Sequence, residues 1–129
     1  MDRTKSLNKV LKHLQTRSPD VVATALISED GLTIASALPH EFDDTRVGGM
    51  SATLLSLGTR AAFELSRGEV TEVIVRGEGG YAVLVKADRG VLLLVVANED
   101  AKLGMIFFDM REAISAIKQI LWHTNNVNV

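Results

Sequence analysis

At 129 residues, with 47% hydrophobic and 23% charged side chains, the chain has the composition of one soluble globular domain able to bury a core. The absence of cysteine excludes a disulfide framework, thiolate zinc or iron–sulfur sites and a thiol nucleophile. A formal net charge of −2 and 5% aromatic residues argue against nucleic-acid binding, which calls for a basic domain and stacking platforms.

Thr4–Gln15 places Leu7, Val10, Leu11 and Leu14 at helical spacing, with Lys5, Lys9, Lys12 and His13 on the other faces. This predicts a short amphipathic helix. Ser18-Pro19 ends it, because the residue before proline is pushed out of the helical region. The three lysines could touch an anionic membrane, but on so short a helix they read first as its wet face. The N-terminus has no apolar signal core, and the longest apolar run, Val91–Ala97, is too short to span a bilayer. A cytoplasmic protein without stable membrane insertion is expected.

Val21–Ser28 reads as an almost wholly apolar strand, Glu29-Asp30-Gly31 as a hairpin turn, and Leu32–Ala37 as the returning strand, closed by Pro39. Asp43-Asp44-Thr45 supplies capping groups for a second helix running to about Ser66, with Gly68 at its C-terminal cap. Val70–Arg76, Tyr81–Ala87 and Val91–Ala97 form a three-strand meander through Gly77-Glu78-Gly79-Gly80 and Asp88-Arg89-Gly90. Asn98 reads as the N-cap of the last helix, with Glu99 and Asp100 in its first turn. Its core stripe runs from Leu103 to Leu121, and the helix is expected to end near Trp122. Residues 123–129 are expected to be a frayed tail on a single domain (1–129) with its core at 4–122.

The element order αββαβββα predicts an α/β (α+β) domain. Val21–Ser28 and Val91–Ala97 are the most continuously apolar strands and belong in the centre. Hairpin neighbours stay paired, which gives the sheet order 2-1-5-4-3 with helices covering both faces.

Two features point to self-association. The third strand carries Val73-Ile74-Val75 between Glu72 and Arg76, with no proline or inward lysine, so as an edge it is a template for another strand unless a loop covers it. The second helix has two greasy sides. Val47, Met50, Leu54, Leu57, Ala61 and Leu65 form the stripe expected against the sheet. Gly48, Ala52, Leu55, Thr59, Ala62 and Phe63 form an uncharged second stripe on which another helix can approach closely. The remaining face, Thr53, Ser56, Arg60, Glu64 and Arg67, reads as a solvated surface or, more sharply, as a partner-binding one.

No catalytic set emerges. His13, His40 and His123 are isolated, and no pair has metal-ligand spacing within one element. There is no Walker A sequence, no G-x-G-x-x-G between strand and helix, and no G-x-S-x-G. No enzyme, cofactor or metal is expected.

Three segments carry a family likeness. Val22–Ser28 with Glu29–Ala35, Ser51–Gly58, and Ala101–Ile106 with Met110–Ala113 resemble, in order and spacing over about residues 4–122, the Roadblock / dynein light chain superfamily. Phe107-Phe108 departs from the bacterial pattern, which more often has a polar residue in that pair. The resemblance implies a five-stranded antiparallel sheet, third strands paired across a homodimer into ten strands, and second helices side by side. It also implies a non-enzymatic scaffold or regulator of a small Ras-like GTPase, closest in type to the prokaryotic single-domain branch of the gliding-motility protein MglB. Two alternatives stay open: a structural adaptor without effect on nucleotide turnover, and a small-molecule sensor.

Overall fold

Asp2 opens the first helix by accepting the Thr4 N–H on its carboxylate, so α1 spans Arg3–Arg17 and is slightly longer than its apolar period. The Ser18 N–H returns to the Leu14 carbonyl, and Pro19 follows. The structure, a computed structural model, describes residues 2–127, with side chains described for 2–122. β1 (Val21–Ser28) and β2 (Thr33–Ala37) form the first hairpin; Leu32, expected to begin β2, stays exposed outside it.

α2 (Asp44–Glu64) starts where Asp43 accepts the N–H groups of Thr45 and Arg46. Its end differs from expectation. The left-handed residue that closes the helix is Ser66 (φ 58°); Gly68 is also left-handed (φ 87°) but lies two residues beyond the closure. The Ser66 N–H bonds to the Phe63 carbonyl and the Arg67 N–H to the Ala62 carbonyl, which is a Schellman closure.

β3 (Glu72–Gly77), β4 (Gly80–Asp88) and β5 (Val91–Asn98) make the meander. Asn98 does not cap the last helix. Its N–H donates to the Asp20 carbonyl, while its own oxygens receive Asp100 and Ala101, so it ends β5 in a turn. α3 (Leu103–Val127) therefore begins later, after Lys102, and runs beyond Trp122. The expected tail is helical as far as Val127; residues 128 and 129 lie outside the described residues.

The sheet is antiparallel throughout, in the order β2-β1-β5-β4-β3. α1 and α3 share one face, where Leu7, Leu11, Met110 and Ile117 pack on Leu26, Val83, Leu93 and Val95. A buried polar group ties this pair together: Asp109 accepts the Ser18 hydroxyl, and Arg17 lies 3.8 Å from Asp109 and 2.7 Å from Glu112. α2 alone covers the other face, on Ala25, Ile27, Leu84, Leu92 and Leu94. Among the described residues, seven buried hydrophobics make up that core against seventeen on the α1/α3 side. One helix leaves part of a five-stranded face uncovered.

Candidate functional site

Two glycines set the rotation of α2 on the sheet. A Cβ at Gly48 would stand 2.4 Å from the Gly31 carbonyl oxygen, and one at Gly58 would stand 2.6 Å from Val73 Cγ2. The helix backbone thus approaches the β1–β2 turn at one end and β3 at the other. Gly48, Ser51 and Leu55 are buried against the sheet, while Ala52 and Ala62 are half-buried.

The expected assignment of stripes is thereby corrected. Gly48 and Leu55, expected at a helix–helix interface, belong to the contact with the sheet. Met50 (57% exposed), Leu57 (63%) and Leu65, expected against the sheet, point outward. The reason is that small residues permit close approach of any backbone, and here the nearest backbone is the chain's own sheet. With Leu54 and Ala61, the outward residues follow the four–three spacing of a helix-pairing seam. Thr59 and Phe63 are exposed on the opposite flank.

The outward stripe borders a groove of about 580 Å³. Met50, Val47 and Leu54 form its helix wall, Ala82, Leu94 and Val96 its floor, and Glu41 and Arg46 stand among its charged lining. Strand register extends the floor to the sheet edge, because Val75 pairs with Ala82 and Ala82 with Val96. Val75 is 44% exposed, and Ile74, on the opposite face of β3, is 41% exposed. Val73 is half-buried under Gly58, whereas Glu72 and Arg76 are exposed, Arg76 lying 5.6 Å from the Tyr81 ring centroid. Edge strand, groove and helix stripe form one continuous apolar surface. The row Val75–Ala82–Val96 escaped sequence reading, although strand alternation would have aligned it once the register was known.

Thr53, Ser56, Arg60, Glu64 and Arg67 are all exposed. Arg60 Nε lies 3.4 Å from Glu64 Oε1, one helical turn away, and Arg67 donates to the Leu65 carbonyl beyond the helix end. At this exposure the pair contributes about 0.3–0.5 kcal/mol. Among the described residues no three His, Asp or Glu side chains are grouped to hold a metal ion, and no helix is long and apolar enough to cross a membrane.

The sequence model of the Roadblock/LC7 domain matches residues 7–97. An uncharacterized protein of Methanocaldococcus jannaschii, MJ0310, is 30% identical over 112 residues, covering 87% of this chain and 96% of its own length. Among solved structures, the Roadblock/LC7 domain from Streptomyces avermitilis superposes with a TM-score of 0.81 at 22% identity, over 89% of this chain and 97% of that one. Myxococcus xanthus MglB gives a TM-score of 0.84 at 17% identity, over 95% and 92%.

Proposed function

The chain belongs to the Roadblock/LC7 domain family, and from that premise we propose that it is a non-enzymatic homodimeric binding module that regulates a small Ras-like GTPase. The observation that carries this reading is the continuous apolar surface of β3, the groove and the outer stripe of α2. A lone subunit leaves an edge strand unpaired and a helix seam wet, and a second copy satisfies both. Antiparallel pairing of two β3 strands, through Glu72, Val73, Ile74, Val75 and Arg76, continues the sheet to ten strands about a two-fold axis normal to it. The two α2 helices then meet through Met50, Leu54, Leu57 and Ala61.

This assembly places two polar faces on the same side. Thr53, Ser56, Arg60, Glu64 and Arg67 from both subunits form a mixed-charge surface beside the helix pair. Arginine suits such a surface because its planar fork pairs with partner carboxylates. The test is a titration of a small Ras-like GTPase from the same genome, loaded with a non-hydrolysable GTP analogue, against wild type, Arg60→Glu and Lys9→Glu. Arg60→Glu is expected to weaken binding about tenfold or more, the scale of a truncated interfacial charge pair, and Lys9→Glu to leave it unchanged. The reverse pattern would put the partner on the other face. Binding with no change in the GTP hydrolysis rate would make the protein a passive adaptor.

A further inference from the structure

The charge of this chain is unevenly placed. Arg3–Arg17 carries five arginine and lysine side chains and no carboxylate. The rest of the chain holds nine basic residues against sixteen acidic ones. Arg17 is engaged with Glu112 and Asp109. Arg3, Lys5, Lys9 and Lys12 are exposed and have no carboxylate at ion-pair distance among the described residues. Lys5, Lys9 and Lys12 recur at four and three residues, so they share one outward stripe about 10 Å long.

α3 packs beside α1 on the same face of the sheet and adds what the lysines lack. Phe108 (48% exposed) and Trp122 (67%) lie on its outer side, opposite the Ile106–Met110–Ile117 core stripe. Lys118 is exposed on the same helix. Lysines with exposed Trp and Phe match the two zones of one environment: anionic headgroups attract the cations, and the interfacial region accepts the aromatic rings. Lys9 borders the cleft between α1 and α3 with Arg17, Asp109 and Glu112, but Lys5 and Lys12 lie outside it, so the three run along the helix rather than around a pocket, which suits a plane of charge better than a folded acidic partner.

We propose that the outer surface of the α1/α3 layer docks peripherally on an anionic phospholipid bilayer. No described helix is able to cross one, so the contact is superficial. A single subunit carries the whole patch. The dimer proposed above, where it forms, presents two patches on one side, because antiparallel edge pairing keeps both α1/α3 layers on the same face of the sheet; that doubling rests on the preceding reading. The basic patch faces the bilayer, so the α2 side turns to the solvent.

The full chain is sedimented with phosphatidylcholine vesicles with and without phosphatidylserine, at rising salt. Trp122, the chain's single tryptophan, reports insertion by a blue shift of its emission. Binding is expected only with phosphatidylserine and is lost as salt screens the charges. Lys5→Gln, Lys9→Gln and Lys12→Gln together are expected to lower partitioning about a hundredfold, at about fivefold per charge near the membrane surface. Circular dichroism checks that the triple variant is folded. No binding to anionic vesicles, equal binding to neutral ones, or an unaltered triple variant overturns the proposal. So does a tryptophan shift with polyglutamate that vesicles fail to produce, which assigns the face to an acidic protein. A protein that dimerises and binds its GTPase yet ignores vesicles defeats this inference alone.

Discussion

Ser66 holds a left-handed backbone, φ 58°, at the residue that closes α2. For an L residue that conformation costs about 1–2 kcal/mol, and glycine escapes it at the expense of a larger loss of chain freedom. Both hydrogen bonds of the closure come from backbone groups, so a glycine would keep them. Ser66→Gly is expected to stabilise the protein by about 0.5–1 kcal/mol, read as a higher urea midpoint at unchanged slope and equal protein concentration. A lower midpoint would show that the serine hydroxyl supports the cap. The sequence pointed to Gly68 because glycine is the usual left-handed residue after a helix, and Gly68 is left-handed (φ 87°), but it stands past the closing bonds. Which left-handed residue closes the helix is decided by where the last helical carbonyls find partners, and here those are the N–H groups of Ser66 and Arg67.

α2 shows how periodicity finds stripes without saying what covers them. Its two apolar stripes were legible, and so was the need for cover on two sides. Their assignment was not, since a Met–Leu stripe and a Gly–Ala–Leu stripe both read as buried. The deciding contacts are long-range: Gly48 on Gly31 and Gly58 on Val73. The same limit explains Asn98, a good capping residue that the sheet retains through its bond to Asp20. The outward stripe supports a sharp expectation. Leu57 is largely exposed in the subunit, so Leu57→Arg loses little internal packing, yet it sets a charge in the seam of the proposed helix pair. Size-exclusion chromatography is expected to show a folded monomer for this variant, with near wild-type helicity. A variant that still elutes with wild type would remove α2 from the interface.

At the scale of the molecule, the sheet order was legible because two strands are apolar on both faces. Val21–Ser28 and Val91–Ala97 could only be central, and hairpin pairing then left β2 and β3 as edges. The groove was not legible, because it exists only where a single helix meets a face five strands wide and stops short of the row Val75–Ala82–Val96. That shortfall is the physical basis for reading the subunit as half of a larger core. Sedimentation equilibrium across the micromolar range tests this most directly. A single species of twice the 14.0 kDa chain mass is expected, and a mass of one chain throughout that range would show that the subunit needs no second copy.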